Sequence, residues 1–450
     1  MTEQTDKGSG DEKRSWFRWR DWALGALLGL ATCMVWTRIP ALVAWHKVDL
    51  QLEAIRRSGD PVLATDLAES LPPPNENAAV FYKRAHEALR LTDDDDEFLG
   101  SVTKRVLAGN PEPDDAAQVR RLVRANQQAL ALVAQGNQLE RNVPEVDWAK
   151  GPYVELPMLY EDRKLSRLLA DQLVLAGFEN RPEALVAGLH ESLRLADRTR
   201  ADYGTIAASV QCAQRAIALR GLEAGLRLTR PSVEQLHTVY EALAKPDPLA
   251  DMAQAVVGER ANGVSAINLA RRVHASVSGL VGDTKPQGLC ALGEYLWYYT
   301  SGPAKNELRY LRLTGEGIAM MRQLAADPTA RLDLDAPDRE LDEDHRNGLF
   351  AVILMPSFSC MADKAREAQA KLDAARCDLA VVAFQGRTGK NPTSLAEVEK
   401  TLRWKLPLDP GSGKAFKLVR DGKLLRVESV LTENAGEGKT RQISFSVPEL

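Results

Sequence analysis

The first hydrophobic segment of the chain is long and almost free of charge. From Trp22 to Thr37 no residue is charged, Arg38 follows, and residues 39–45 are again uncharged. A bilayer span needs about 20 mostly apolar residues, and an arginine near its end can extend toward the headgroups. Tryptophans lie at both ends of the segment, where interfacial aromatic residues are enriched. The pattern predicts a transmembrane anchor over residues 22–45.

Basic residues before this segment indicate its orientation. Lys13, Arg14, Arg18 and Arg20 precede it, and lysine and arginine are enriched on the cytoplasmic flank of a span. We therefore expect a single-pass protein in which residues 1–21 form a cytoplasmic tail and the bulk of the chain is periplasmic or otherwise extracytoplasmic. A cleaved signal peptide and a buried core helix are the alternatives. A cleaved signal peptide needs small residues at its cleavage site, and this segment offers no good site of that kind.

The next part of the chain follows the period of an α-helix. A juxtamembrane helix and a proline-rich linker are expected over residues 46–75. Apolar residues then recur at helical spacing, as in Val119, Leu122, Val123, Leu130 and Val133 of a helix predicted over residues 114–135, and in Leu165, Leu168, Leu169, Leu173 and Ala176 of the next. Asn180-Arg181-Pro182 and the Ser232–Gln235 capping box mark two helix starts. The pattern predicts an antiparallel helical domain over residues 76–327, with an α-solenoid as the open alternative.

The pattern changes again in the last quarter of the chain. Residues 328–346 are polar and acidic and predict a linker. A long helix is predicted over residues 347–384, and Ser394 with Glu397 forms another capping box. Alternating segments follow, and Asp421-Gly422 between two of them is a strong hairpin signal. The strands are predicted over residues 414–420, 423–431 and 441–447. Residues 347–450 are thus expected to form a long helix with a small three-stranded antiparallel sheet, and the whole chain to be mainly α.

Composition excludes some function classes. Hydrophobic residues make up 44% and charged residues 27% of the 450 residues, as in ordinary globular proteins. The net charge of -4 gives no electrostatic reason to expect binding to nucleic acid, which usually needs a basic face. The five cysteines contain no C-x-x-C pair, so a structural zinc site is not expected. Disulfides among four of them stay open, with free thiols as the alternative: Cys212, Cys290, Cys360 and Cys377.

Few residues indicate chemistry. The histidines show no H-E-x-x-H spacing, and neither glycine–lysine stretch matches a phosphate-binding loop. The acidic run in the linker lacks the glycine of a calcium-binding loop. The sequence therefore predicts no catalytic, cofactor-binding or metal-binding residue. Aromatic residues cluster once, and this cluster is the candidate binding surface, with helix packing as the alternative: Tyr295, Trp297, Tyr298 and Tyr299, followed by Tyr310.

Two turn segments precede the predicted hairpin near the C-terminus: Gly389-Lys-Asn-Pro-Thr-Ser-Leu395 and Pro407-Leu-Asp-Pro-Gly-Ser-Gly-Lys-Ala-Phe416. Together with the hairpin strands to Ser429, they resemble the soluble end of type II secretion pseudopilins. In that family a long helix leads through these turns into a small antiparallel sheet. Such proteins often hold calcium near the last strands, where Glu433, Asn434 and Glu437 lie in this chain. The resemblance covers about the last 100 residues.

A second resemblance concerns the start of the predicted helical domain. Uncharacterised bacterial envelope proteins open their soluble part with a similar motif and carry a helical middle and a pseudopilin-like tail. The motif here is Glu76-Asn77-Ala78-Ala79-Val80-Phe81-Tyr82. No activity comes with this resemblance.

Together these features predict a membrane-tethered, non-catalytic scaffold or binding protein of the bacterial cell envelope. Its expected partners are the membrane, through one span, and an envelope or secretion protein. No cofactor and no nucleic acid are expected. Two alternatives stay open: an extracytoplasmic hydrolase whose site assembles from distant helices, and a minor pseudopilus or secretion-associated component. A cleft with convergent titratable groups would favour the enzyme, and an apolar concavity would favour binding.

Overall fold

The computed structural model describes residues 10–156, 158–273, 300–343, 349–436 and 439–449. Within these ranges the chain is mostly helical with one small antiparallel sheet, which confirms the mainly α class. The α-helices are α1 (Gly10–Arg57), α2 (Ala78–Glu87), α3 (Asp93–Leu107), α4 (Asp115–Ala125), α5 (Gln127–Asn137), α6 (Met158–Phe178), α7 (Pro182–Arg198), α8 (Thr205–Leu228), α9 (Val233–Ala242), α10 (Pro248–Val273), α11 (Gly302–Ala326), α12 (Ala336–Glu343), α13 (Leu349–Leu354), α14 (Phe358–Thr388) and α15 (Leu395–Leu402). The strands are β1 (Lys417–Asp421), β2 (Leu424–Gly436) and β3 (Lys439–Pro448).

The sheet has the order β1-β2-β3, and both pairings are antiparallel. Leu418 pairs with Val427, and Asp421 pairs with Leu424. Gly422 has a φ of 63° in the turn between these strands, a conformation that favours glycine. The hairpin predicted from Asp421-Gly422 and the predicted three-stranded antiparallel sheet are confirmed.

The sheet packs on α14. This helix contacts β2, β3, α8, α9 and α15. Leu395 and Val398 of α15 lie in the same hydrophobic core as Phe416, Leu425 and Val427. The predicted combination of a long helix with a small antiparallel sheet is confirmed, and the helix capped by Ser394 lies in the same core. The Ser394 hydroxyl accepts a hydrogen bond from the Glu397 amide at 3.3 Å.

One predicted helix is wrong in its extent. The chain over residues 114–135 forms two helices, α4 and α5, which meet at Asn126. The buried Asn126 side chain accepts from the Arg90 amide at 2.6 Å and donates to the Leu122 carbonyl at 2.9 Å. These bonds compete with helical pairing, because asparagine offers the backbone side-chain partners. Apolar spacing alone does not reveal such a break.

The predicted long helix over residues 347–384 is also divided. Helix α13 ends at Leu354, and α14 begins at Phe358 after Pro356. Proline removes an amide donor and restricts the residue before it, and the Ser357 hydroxyl then caps α14 through the Cys360 amide at 3.4 Å. The acidic connector is helical in part, since it contains α12.

Helix α1 includes the whole segment predicted as a transmembrane anchor. Among the described residues, no helix combines the length and the apolar character that crossing a bilayer requires. The uncharged run from Trp22 ends at Arg38, short of the about 20 residues of a full span. The predicted span over residues 22–45 is therefore not supported.

The chain divides into two compact units. One consists of Met1–Asp60, Ala266–Leu313 and Leu341–Met355. In it the Arg271 guanidinium lies 3.6 Å from the centre of the Trp45 ring. The other consists of Pro61–Ser265, Thr314–Glu340 and Pro356–Leu450 and contains the sheet.

Candidate functional site

A groove with a volume of about 620 Å³ lies among α4, α5, α6 and α7. Its lining is mainly apolar and small, and consists of Val123, Leu130, Ala131, Ala134, Leu169, Leu175, Ala184, Ala187 and Gly188. Charged and polar residues also line it: Arg120, Arg124, Gln127, Gln172, Glu179, Arg181 and Glu191. Binding sites in proteins commonly combine such an apolar surface with a few polar groups.

The break between α4 and α5 shapes one wall of the groove. Val123 and Arg124 come from α4, and Leu130 and Ala131 come from α5 beyond Asn126. Ala131 is exposed, whereas Leu130 is half-buried. Both helices thus contribute to one wall, and the small side chains Ala131, Ala134 and Ala187 on α5 and α7 line the groove.

The charges of the groove are unequally compensated. Arg120 donates to the Glu179 carboxylate, with Nε 2.6 Å from Oε1, and Arg181 also pairs with Glu179. The hydrogen bond from Arg120 is the main reason why the pKa of Glu179 lies below its usual value. Arg124 is exposed and has no hydrogen bond or ion pair to any residue in the described ranges. Arg124 is therefore a positive charge available to a ligand.

The other end of the groove is held by a chain of hydrogen bonds. Asn137 Nδ2 donates to Glu191 Oε2 at 2.5 Å, and Asn137 Oδ1 accepts from the Tyr82 hydroxyl at 2.7 Å. Burial raises the pKa of Tyr82, so the hydroxyl stays protonated as the donor. A Cβ on Gly136 would lie 2.7 Å from the Tyr82 ring, so glycine is needed there. Tyr82 thus orients Glu191 through Asn137.

The sequence motif at residues 76–82 therefore has an architectural role. Asn77 caps α2 by accepting from the Ala79 amide at 3.2 Å, and it accepts from the Val143 amide at 3.0 Å. Its Nδ2 donates to the Val143 carbonyl at 2.8 Å. Ala78 is fully buried. The motif joins α2 to the segment after α5 and brings Tyr82 to Asn137.

The candidate surface inferred from the aromatic cluster lies outside the described residues: Tyr295, Trp297, Tyr298 and Tyr299. Tyr310, the remaining aromatic residue of that stretch, is fully buried in α11. It is a core residue rather than part of an exposed surface.

Two of the acidic residues considered for metal binding form ion pairs with basic side chains. Glu433 pairs with Lys371 Nζ at 2.6 Å and also with Arg441. Asp333 of the linker pairs with Arg339. Across the described ranges, no group of three or more His, Cys, Asp or Glu side chains is arranged to hold a metal ion. Glu437 lies outside those ranges.

Three cysteines are free thiols: Cys212, Cys360 and Cys377. Burial raises the pKa of Cys212 to about 11, which makes it a poor nucleophile at neutral pH. Cys290, the fourth candidate for a disulfide, lies outside the described residues.

Comparisons with protein families, curated proteins and solved structures found no match to this chain. The resemblances to pseudopilins and to bacterial envelope proteins stay predictions.

The groove was not predicted from the sequence. The sequence features that could have indicated it are alanine and glycine residues on α5 and α7, together with arginines on α4 and directly before α7. These residue types are common in any surface helix, and only the packing of four helices shows that they face one another.

Proposed function

We propose that this is a non-catalytic binding protein that holds an amphipathic helix of a partner protein in the groove among α4, α5, α6 and α7. The mainly apolar lining of this groove, about 620 Å³ in volume, is the observation that carries the proposal. Insertion of the apolar face of a helix into such a groove is a recurring mode of peptide recognition. The small side chains Ala131, Ala134 and Ala187 give a helix backbone room to approach.

The charges of the groove favour an acidic helix. Glu179 is already compensated by Arg120 and Arg181, whereas Arg124 has no partner within the described residues. A carboxylate on the partner helix would pair with Arg124 and add electrostatic selectivity. A lysine at the same place would be repelled.

Two synthetic helical peptides test this proposal. They share one leucine-rich face and differ only in carrying glutamate or lysine on the flanks of that face. We expect the glutamate peptide to bind at least about tenfold more tightly in fluorescence anisotropy titrations. Ala131→Glu, an exposed position, should abolish binding, and Arg124→Glu should reverse the preference.

Arg387→Glu is the matched control, because Arg387 is exposed at the end of α14 and does not line the groove. It should leave both affinities unchanged. The proposal is contradicted if the two peptides bind the unaltered protein with equal affinity. It is also contradicted if Ala131→Glu binds the peptides as tightly as the unaltered protein does.

We further propose that α1 attaches the protein to the bacterial inner membrane. The support is the exposure of large apolar side chains on this helix, with Trp22 78% exposed, Trp36 77% and Leu42 68%. Leaving such surface in water costs about 25 cal/mol per Å², and a contiguous exposed apolar patch is typical of an interaction surface. The basic residues before Trp22 suit the anionic cytoplasmic face of a membrane.

Membrane fractionation tests the attachment. The unaltered protein should sediment with membranes, and the double variant Leu27→Asp, Leu28→Asp should move to the supernatant, because buried charges oppose insertion. Leu71→Asp with Leu408→Asp is the control, since both leucines are exposed but lie outside α1. If the unaltered protein is recovered in the supernatant, this part of the proposal is wrong. A hydrolase activity and membership of a pseudopilus stay untested predictions.

A further inference from the structure

A second cavity, separate from the groove, lies among α3, α6 and α8. Its volume is about 280 Å³, near the lower end of the about 300–1,000 Å³ typical of ligand pockets. Helices α6 and α8 approach closely beside it, since a Cβ on Gly221 would lie 2.9 Å from the Ala170 carbonyl oxygen. Leu99 and Ile217 add apolar surface to its lining.

Asp171 provides a buried carboxyl group in this cavity. It is only 6% exposed, and no residue in the described ranges forms a hydrogen bond or ion pair with it. Burial raises the pKa of Asp171 well above its usual value, the nearby Asp96 raises it further, and Arg167 opposes them. The Asp171 oxygens stay accessible from the space of the cavity, and a carboxyl group there donates a hydrogen bond when it is protonated. The cavity therefore contains a carboxyl group that has no partner among the described residues.

The remaining charges in the cavity are partly compensated. Arg167 forms an ion pair with Asp96. Lys104 and Arg220 are exposed and have no hydrogen bond or ion pair with any described residue, and Glu97 is also exposed. Arg220 lines a neighbouring cavity as well, between α8 and the sheet. The two cations Lys104 and Arg220 thus outnumber the one exposed carboxylate, Glu97, and this balance of charge favours an anionic ligand.

We propose that this cavity binds a small organic carboxylate that carries a second, neutral hydrogen-bond acceptor. The carboxylate of the ligand pairs with Arg220 and Lys104 at the opening. Its apolar body lies against Leu99 and Ile217, and its carbonyl or ether oxygen accepts a hydrogen bond from Asp171. This arrangement satisfies the buried carboxyl group and uses both unpaired cations.

Three related molecules probe this chemistry one group at a time. 4-Acetylbenzoate has both the carboxylate and the acceptor, benzoate lacks the acceptor, and acetophenone lacks the charge. Ligand-observed NMR titrations at pH 7 should show 4-acetylbenzoate binding about fivefold to tenfold more tightly than either of the others, because each hydrogen bond or ion pair adds a factor of this size.

Variants assign each contribution to a residue. Arg220→Gln should weaken 4-acetylbenzoate and benzoate about fivefold and leave acetophenone unchanged. Asp171→Leu should remove the advantage of 4-acetylbenzoate over benzoate, whereas Asp171→Asn keeps a donor and should retain it. Arg387→Gln, an exposed position that does not line the cavity, should change nothing.

Arg220 is exposed. Arg220→Gln therefore tests the proposal even if the substitutions at the buried Asp171 destabilise the protein. If the three probes bind the unaltered protein equally, or if Arg220→Gln leaves the affinity of 4-acetylbenzoate unchanged, the proposal is overturned.

Discussion

Two long helices of this protein, α1 and α14, have opposite environments. Over residues 22–29 of α1 every side chain is exposed, although this segment is uncharged and rich in leucine. From Leu372 to Gln385 of α14 nearly every side chain is buried, although this segment includes Asp373, Arg376 and Asp378. The more apolar helix segment is thus the more exposed one.

The difference shows that neighbours, rather than composition, decide burial within this fold. Helix α14 is surrounded by α8, α9, α15 and two strands, so no face of its central segment is left to solvent. A helix in such a position is expected to be apolar on all sides. The buried acids Asp373 and Asp378 are exceptions, and each requires either a partner or a neutral form. Asp373 has partners in Gln369 and Arg376.

The largest expected effect comes from an aromatic residue of α14. Phe358 is fully buried and lies against Gly317, where a Cβ would approach the ring to 2.2 Å. Phe358→Ala should lower the free energy of unfolding by about 3–5 kcal/mol, through lost burial and the remaining cavity. Urea unfolding followed by circular dichroism measures the change.

The matched variant in α1 is Trp36→Ala, at a side chain that is 77% exposed. Its effect in the same experiment should stay within about 0.5 kcal/mol. Similar losses for both variants would show that α1 is covered by other parts of the protein and would remove the contrast between the two helices.

A smaller effect is expected from the buried acid Asp378. Asp378 is fully buried, and neither of its carboxyl oxygens has a hydrogen bond to any described residue. Burial and the charge of Glu223 raise its pKa well above the usual value, against the opposing charges of Arg227 and Arg230. The folded state therefore binds a proton that the unfolded state releases above pH ~4, so stability falls as the pH rises from there toward the folded pKa.

Asp378→Asn removes this titration. We expect it to increase the free energy of unfolding by about 1–3 kcal/mol at pH 8 and to have little effect at pH 4, since one pKa unit corresponds to about 1.4 kcal/mol. Asp363→Asn, at an exposed position of the same helix, is the control. If the free energy of unfolding of Asp378→Asn varies with pH as much as that of the unaltered protein, Asp378 is ionised in the folded state and its charge is compensated there by neighbouring groups.

Apart from the matched and control variants, the smallest expected effect concerns the sheet that covers α14. Gly422 has a φ of 63° in the β1–β2 turn, and no heavy atom of the described residues lies within 4 Å of the position of an added Cβ. Gly422→Val should lower the free energy of unfolding by about 1–2 kcal/mol through backbone strain alone. Gly422→Asn, which tolerates this conformation better, should cost less. If Gly422→Val and Gly422→Asn lower the free energy of unfolding equally, backbone strain is excluded as the cause of the loss.

Local patterns in the sequence determined much of the fold. Ser232 and Gln235 form the predicted capping box, with the Ser232 amide donating to Gln235 Oε1 at 2.8 Å. Helix α7 begins at Pro182, as predicted, and Asp421-Gly422 forms the predicted hairpin. These features depend on residues a few positions apart, so the local sequence is sufficient to encode them.

Only the tertiary structure decided the rest. The break at Asn126 depends on the Arg90 amide, 36 positions earlier in the chain. The groove needs four helices to meet, and the cavity around Asp171 needs α3 and α8 as well as α6. The sequence by itself determined the helix starts at Pro182 and Ser232 and the hairpin at Asp421-Gly422, because capping and turns are local. It did not determine which faces become sites, because burial and pKa depend on neighbours that are distant in the chain.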